Sequence, residues 1–235
     1  MFARSMLMAS GQRQINVIIS ANVRSPNISA LATAQGWRGT ENITLVINAG
    51  VDVATLQISG IPDDRLHIIN NGRIGGVLNS GTGLYTRIRI LVTNNGTIFG
   101  GGGAGGRGSS AGYSYPGGTS DTAQGGVGGN GAGFTASAAV SMVARDTSPA
   151  PTSGSYVSYS GAIFPGDTRP WAQGGFGGSG GAIGVAGANG ENASSGGTGA
   201  TGSVPGSPPA AAGYYLDGNA YVTWLATGTR LGRVI

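Results

Sequence analysis

Glycine recurs at every third position through the middle of this chain, and this period limits which backbone structures the region can form. The recurrence is clearest in three runs, at residues 100–108, 125–133 and 174–190. A period of three matches neither the 3.6 residues per turn of an α-helix nor the two-residue alternation of a strand. It is the period of the polyproline II helix, which has no internal hydrogen bonds. Such helices can bond to one another where the facing positions carry no Cβ, so the sequence predicts a bundle of packed polyglycine II helices.

A disordered glycine-rich tail is the alternative, because a Pro and Gly bias without a period is typical of disorder. Two observations favour an ordered bundle. The runs are interrupted by segments that contain aromatic residues, and a strand-like pattern returns after residue 213. A collagen triple helix fits less well, since the triplets are short, broken and poor in proline.

The N-terminal third has the patterning of strands. Residues 12–24 alternate as a half-buried strand does, and residues 27–35 could form a short helix. Three short apolar segments follow, closed by Gly50, Gly72 and Gly96, and the Asn-Gly pairs among them favour tight turns with positive φ. The spacing of these glycines, 22 and 24 residues, suits the coils of a β-solenoid, but an ordinary sheet of hairpins would also explain it. Either alternative makes this part all-β.

The predicted organisation therefore has three parts. Residues 1–99 form an N-terminal β attachment portion, either a β-solenoid or a β-sheet. Residues 100–206 form the glycine-rich polyglycine II (PPII-type) bundle, a sandwich with loops that face a receptor. Residues 207–235 supply C-terminal strands that close the domain. The fold class is thus all-β with a polyglycine II helix bundle.

Composition and motifs argue against catalysis and against several kinds of ligand. All thirteen basic residues are arginine and are spread along the chain, whereas nucleic-acid binding favours clusters. The single histidine, His67, lies between two aliphatic residues as a strand residue would, and Asp63 and Asp64 follow a proline in an evident turn. No cysteine is present to ligate a metal. The sequence predicts a protein that is not an enzyme and has no cofactor or metal.

The segments that interrupt the glycine runs contain the candidate binding residues. Tyrosine and tryptophan offer large contact area at low entropic cost, and serine, glycine and asparagine offer adaptable hydrogen bonding. The alternative is that these aromatic side chains only cover the ends or flanks of the bundle. The candidate receptor-binding residues are Tyr113, Tyr115, Tyr156, Tyr159, Phe164 and Trp171.

The chain resembles the glycine-rich receptor-binding proteins of tailed bacteriophages, of which the tail-fibre adhesins of T-even-like phages are the best described. The three glycine runs carry the resemblance, together with GYYLDGNAYVTWLATGTRLG at 213–232 and INVIISANVRSPNISALATAQGW at 15–37. The resemblance implies polyglycine II helices packed in a sandwich, whose joining loops contact an outer-membrane protein or lipopolysaccharide. The N-terminal portion does not resemble the fibre-attachment domain of the T-even adhesins, which leaves its docking partner open.

We therefore expect a phage tail-tip or tail-fibre adhesin in the virion, without a signal peptide. Its expected partners are a host cell-surface receptor and other phage tail or fibre proteins, in several copies such as a homotrimer, with no nucleic acid. A purely structural virion protein, such as a minor tail or head-decoration component, is the main alternative. Ice binding through a flat glycine face is a third, which the long aromatic loops disfavour.

Overall fold

The computed structural model describes residues 13–235. Its first part consists of ten short strands and one helix, α1, at Ile28–Ala34, inside the range predicted for a short helix. The strands are β1 (Gln14–Ile19), β2 (Val23–Arg24), β3 (Asn42–Ile47), β4 (Asp52–Ala54), β5 (Leu56–Ile58), β6 (Leu66–Asn70), β7 (Arg73–Gly75), β8 (Leu84–Thr86), β9 (Ile90–Asn94) and β10 (Thr97–Phe99).

These strands form three parallel sheets wound around one core. The first sheet contains β1, β3, β6 and β9, the second contains β2, β4, β7 and β10, and the third contains β5 and β8. Successive coils stack in register, with Ile43 beside Leu66 and Leu66 beside Ile90. This arrangement is the β-solenoid alternative. The sheet of hairpins is wrong, because hairpin strands pair antiparallel.

Glycine closes the repeated segments for two different structural reasons. Gly50 has a φ of 77°, as the tight-turn interpretation predicts. Gly72 and Gly96 lack positive φ, so that interpretation is wrong at these two positions. A Cβ on Gly96 would lie 2.0 Å from the carbonyl oxygen of Gly72. Close approach of stacked corners, rather than turn geometry, therefore requires glycine at 96.

The N-terminal end of the solenoid is covered by α1. Asn27 caps the helix, and its Oδ1 accepts a hydrogen bond from the Ala30 N–H at 3.0 Å. The helix packs against β1 and buries Ile28 and Ala32 in the same core as Ile15. This cover buries the inner face of the first described coil.

The rest of the chain contributes twelve further strands. They are β11 (Ala111–Tyr115), β12 (Thr119–Ala123), β13 (Gly133–Phe134), β14 (Met142–Val143), β15 (Tyr156–Ser158), β16 (Trp171–Gln173), β17 (Ser194–Gly196), β18 (Ala200–Thr201), β19 (Tyr214–Asp217), β20 (Val222–Ala226), β21 (Thr229–Leu231) and β22 (Arg233–Val234). A 3₁₀ turn at Asn219–Tyr221 separates β19 from β20.

The last four strands return to the solenoid, which confirms that C-terminal strands close the β portion. β19 pairs with β8, β20 with β9, β21 with β10 and β22 with β19, all in parallel. The glycine-rich region is therefore an insertion between β10 and β19. Its two ends adjoin, because the Gly213 N–H donates to the Gly101 carbonyl at 2.8 Å.

Six extended segments run through this insertion without helical or strand structure. We number them segment 1 (101–109), segment 2 (124–132), segment 3 (149–155), segment 4 (174–181), segment 5 (185–191) and segment 6 (207–213). Segment 6 extends the assembly past the predicted limit at residue 206.

Backbone hydrogen bonds join the segments at steps of three residues. Around one triangle, Gly105 N–H donates to Gly129, Gly129 N–H donates to Gly178, and Gly178 N–H donates to the Gly106 carbonyl, at 2.8–2.9 Å. The same triangle repeats one step in each direction along segments 1, 2 and 4. A bundle of glycine helices requires hydrogen bonds that repeat every three residues. The polyglycine II conformation of the single segments stays a prediction.

The glycines occupy positions where a neighbouring backbone leaves no space for a side chain. A Cβ on Gly105 would lie 1.9 Å from the Gly178 carbonyl oxygen, and one on Gly177 would lie 1.8 Å from that of Val127. Segments 1 and 4 each bond to four other segments and are the richest in glycine. Segments 3 and 6 each bond to only two others and contain one glycine each, with Ser, Pro and Ala at most other positions.

Two small antiparallel sheets extend the bundle at the end remote from the solenoid. One has the order β12–β11–β18 and the other β15–β16–β17. Their inner faces meet around a buried cluster that includes Tyr113, Tyr115 and Ala172. We call this unit the terminal sandwich. Within residues 13–235, no helix has the length and hydropathy to cross a membrane.

The substitution Gly105→Ala tests whether close packing of the segments stabilises the insertion. Its methyl group would overlap the Gly178 carbonyl oxygen, and we expect a loss of about 2 kcal/mol or more in the free energy of unfolding. That corresponds to a melting temperature lower by roughly 5 °C, measured by scanning calorimetry. Gly202→Ala is the matched control, because an added Cβ there has no atom within 4 Å. Equal melting temperatures of the two variants would contradict the packing argument.

Candidate functional site

Three loops meet at the free end of the terminal sandwich, and we call this surface the distal tip. It consists of the turn at 116–118, the loop at 159–170 and the turn at 197–199. Backbone hydrogen bonds tie the three together: Ser114 N–H donates to Gly199 at 2.8 Å, and Thr198 N–H donates to Thr168 at 3.0 Å. The bundle therefore presents one connected surface at its end remote from the solenoid.

The buried side chain of Tyr115 fixes the longest of these loops, 159–170, to the terminal sandwich. Only 2% of this residue is exposed, and its hydroxyl donates to Asp167 Oδ2 at 2.9 Å while accepting the Phe164 N–H at 2.8 Å. Its ring packs against Tyr159 and Phe164, with centroids 4.7 Å and 6.0 Å away. Burial raises the pKa of Tyr115, which keeps the hydroxyl protonated as the donor to Asp167.

A second set of bonds closes the same loop on itself. The Arg169 guanidinium donates to the backbone carbonyls of Tyr159 at 2.6 Å and Gly161 at 3.2 Å, and Asp167 N–H donates to the Phe164 carbonyl at 3.1 Å. Sequence reasoning missed the roles of Asp167 and Arg169. Their spacing, one on each side of Thr168 in a Gly-Pro-rich loop, gives no sign that both side chains fold back onto it.

The structure separates the six predicted aromatic residues into buried and exposed groups. Tyr113 is 4% exposed and Tyr115 is 2% exposed, so the expectation that these two contact a receptor is corrected. They alternate inward on β11 and form the core of the terminal sandwich. Tyr159 is half-buried against Tyr115. For these three, packing inside the sandwich is the better interpretation.

The remaining three aromatic residues are accessible but lie in two places. Phe164 is 59% exposed on the distal tip, next to the exposed Ile163. Tyr156 is 60% exposed on the outward face of β15, and Trp171 on β16 is partly exposed beside it. The six residues therefore do not form one site. A role in binding for Phe164, Tyr156 and Trp171 stays a prediction.

Part of the long segment between the second and third glycine runs, residues 134–173, lies far from the distal tip. Residues 134–148 fold against the solenoid, where the Arg24 guanidinium donates to the Ala136 carbonyl and the Asn22 amide donates to Val140 at 3.3 Å. Only the portion after segment 3 reaches the tip. Sequence alone could not show this division, because both portions contain Ser and Ala among scattered apolar residues, with no period that separates them.

His67, Asp63 and Asp64, the ionisable residues considered for catalysis, have structural partners in the solenoid. His67 Nε2 lies 2.8 Å from Thr93 Oγ1, and burial lowers the pKa of the imidazole. Arg89 pairs with both turn carboxylates, at 3.0 Å from Asp63 and 2.8 Å from Asp64. Between residues 13 and 235, no group of three or more His, Cys, Asp or Glu side chains could hold a metal ion.

Comparison with known proteins relates the whole described chain to phage adhesins. A family model described as phage tail fibre adhesin Gp38 matches residues 14–235, which includes the N-terminal portion. The chain is similar to a crystal structure of the gp37–gp38 adhesin tip complex of the bacteriophage S16 long tail fiber. The two share 19% sequence identity over 95% of this chain and 83% of that chain, with a TM-score of 0.47. A comparison with curated proteins found no match.

The substitution Tyr115→Phe tests whether the hydroxyl fixes the loop at 159–170. Removing it leaves Asp167 and the Phe164 N–H without their partner, at a cost of about 1–3 kcal/mol. We expect amide hydrogen exchange in this loop to accelerate roughly tenfold, measured by mass spectrometry. Tyr156→Phe is the matched control, since the Tyr156 hydroxyl is on an exposed side chain. Unchanged exchange in Tyr115→Phe would show that the loop does not depend on this hydroxyl.

Proposed function

The chain belongs to the phage tail fibre adhesin Gp38 family, and we propose that its distal tip is the surface with which the phage binds its host cell. Membership of this family makes the protein a tail adhesin of the virion. The observation that carries the proposal is the exposure of Phe164 on a loop that Tyr115 and Arg169 hold in place. Exposed apolar side chains on a fixed loop are typical of binding surfaces.

Rigidity supports this role of the distal tip. A receptor-binding loop that is ordered before contact loses little conformational entropy on binding. Here the loop is fixed through Tyr115 to the terminal sandwich, which continues the hydrogen-bonded segments of the bundle. We infer that adhesion is non-covalent and non-enzymatic, with avidity from several copies on each particle. The receptor is a host-surface molecule, an outer-membrane protein or a lipopolysaccharide.

The opposite end of the molecule supports attachment to the tail fibre. The last coil of the solenoid is formed by β20, β21 and β22, and each of them is the edge of its sheet. Inward-facing side chains of successive coils stack in columns. In one column, Trp224 of the last coil lies beside Val92 of the preceding coil; Val92 is fully buried, whereas Trp224 is only partly buried. Exposed strand edges and a partly open core are the features that a β-structured partner covers.

One residue sets this end apart from an ordinary continuation of the core. Arg230 lies beside Ile98, at the end of a column in which the earlier coils have the aliphatic residues Val23, Val53 and Ile74. Its guanidinium lies over the ring of Trp224, 5.0 Å from the centroid. We propose that this C-terminal end, rather than the end covered by α1, docks on other tail fibre proteins.

Adsorption competition tests the distal tip. Purified protein is added to host cells, and the loss of phage adsorption is recorded against concentration. We expect Phe164→Ala to require a roughly 25-fold higher concentration for half-maximal blocking, which corresponds to about 2 kcal/mol for a central aromatic contact. Val185→Ala, an exposed side chain near the solenoid, should block like the wild type. Folded wild-type protein that neither binds cells nor blocks adsorption would instead favour a purely structural virion role.

Charge reversal at the C-terminal end tests attachment. Phage particles assembled with Arg230→Glu should contain less than about a tenth of the normal amount of the adhesin, because the variant loses the stacked cation and repels a partner suited to arginine. The adhesin content is measured by quantitative mass spectrometry of purified particles. Arg38→Glu, near the covered end, is the matched control. Normal incorporation of Arg230→Glu would exclude this end as the docking surface.

A further inference from the structure

A second accessible surface lies on the side of the terminal sandwich, away from the distal tip. Tyr156, Trp171, Gln173 and Ser194 share the outward face of β15, β16 and β17, as the strand register requires. A groove adjoins this face toward the bundle, and together we call them the lateral face. The residues that line the groove are Ser153, Gly154, Gln173, Gly174, Gly175, Phe176, Glu191, Asn192 and Ser194.

We propose that the lateral face binds a neutral, hydroxyl-rich saccharide chain of the host surface. This inference rests on the proposed function, because it assigns the chemistry of a receptor to a surface of the same adhesin. It adds a second recognition surface to the distal tip.

An aromatic platform forms one half of the lateral face. The rings of Tyr156 and Trp171 lie nearly parallel, with 6.3 Å between centroids and 21° between planes. Trp171 lies close over Gly196, where a Cβ would come within 2.7 Å of its indole nitrogen. Glycine at 196 therefore allows the indole to lie flat along the sheet. A flat, accessible aromatic surface suits the apolar C–H face of a sugar ring.

Polar groups that can form hydrogen bonds with sugar hydroxyls make up the other half of the lateral face. The side chains of Gln173 and Glu191 make no hydrogen bond to any other residue within 13–235. The Asn192 side-chain oxygen accepts the Gly206 N–H at 3.0 Å, which fixes the amide and leaves its N–H₂ group as a donor. The groove thus offers both donors and acceptors, and hydroxyl groups can use both.

The charge of the groove limits the class of ligand that the lateral face can bind. Glu191 is the single ionisable residue among those that line the groove, and none of them is cationic. Phosphates and uronic acids would meet a carboxylate without a neutralising arginine, which is unfavourable. The distal tip has different chemistry, since Ile163 and Phe164 expose apolar surface there. A neutral saccharide is the ligand that matches an aromatic platform beside an uncompensated carboxylate and amides.

The test uses polysaccharide released by mild acid from the lipopolysaccharide of a strain to which the phage adsorbs. Binding to the full chain is measured by isothermal titration calorimetry. We expect wild-type protein to bind, and Trp171→Ala, Tyr156→Ala and Glu191→Ala each to weaken binding at least tenfold. Tyr156 and Glu191 are exposed, so their variants report on binding even where Trp171→Ala fails to fold. Val185→Ala is the control and should bind as the wild type does.

Two results would overturn the proposal while leaving the proposed function intact. The first is wild-type protein that blocks phage adsorption but does not bind the polysaccharide, which would favour a protein receptor. The second is polysaccharide binding that Phe164→Ala abolishes and the lateral variants retain, which would place saccharide recognition at the distal tip. Failure of the wild type to block adsorption at all would count against the proposed function itself.

Discussion

Backbone hydrogen bonding between glycine segments is the constraint on which the rest of the insertion depends. Side chains contribute little to its interior, because a Cβ at positions such as Gly105 or Gly177 would overlap a neighbouring carbonyl oxygen. Glycine loses more conformational entropy on folding than any other residue, so each segment by itself is unfavourable. The bonds in each triangle involve three separate segments, and the segments therefore have to order together.

The solenoid supplies the close-packed aliphatic core that the insertion lacks. Its aliphatic core is completed only when β19–β22 return to β8, β9 and β10, after the whole insertion has been traversed. The two ends of the insertion are bonded to each other through Gly101 and Gly213. Folding of the solenoid thus holds segments 1 and 6 side by side, which lowers the entropic cost of assembling the bundle. The close-packed core and the bundle are consequently one cooperative arrangement with different chemistry at each end.

Under the proposed function, this arrangement separates receptor binding and attachment to the fibre in space. The last coil of the solenoid exposes strand edges and Trp224 beneath Arg230, features suited to a protein partner. The terminal sandwich, at the other end of the bundle, carries the exposed aromatic side chains Phe164 and Tyr156. Changes in its loops leave the triangles of backbone bonds intact, because the loops begin beyond the segments. Binding surfaces at the end of such a bundle can vary without a change in the scaffold.

The sequence by itself determined the glycine segments, the strands of the N-terminal third, α1 and the C-terminal strands, because these follow from local periods of three, two and 3.6 residues. It left the solenoid and the hairpin sheet as equal alternatives, since strand direction depends on pairing between distant residues such as Ile43 and Leu66. It also assigned binding to Tyr113 and Tyr115, which composition cannot distinguish from exposed aromatics. Only the tertiary structure decided that these two side chains are buried, that 134–148 folds back on the solenoid, and that Tyr156 and Phe164 lie on different surfaces. Burial and adjacency arise from contacts between segments that are far apart in the chain, and no local pattern records them.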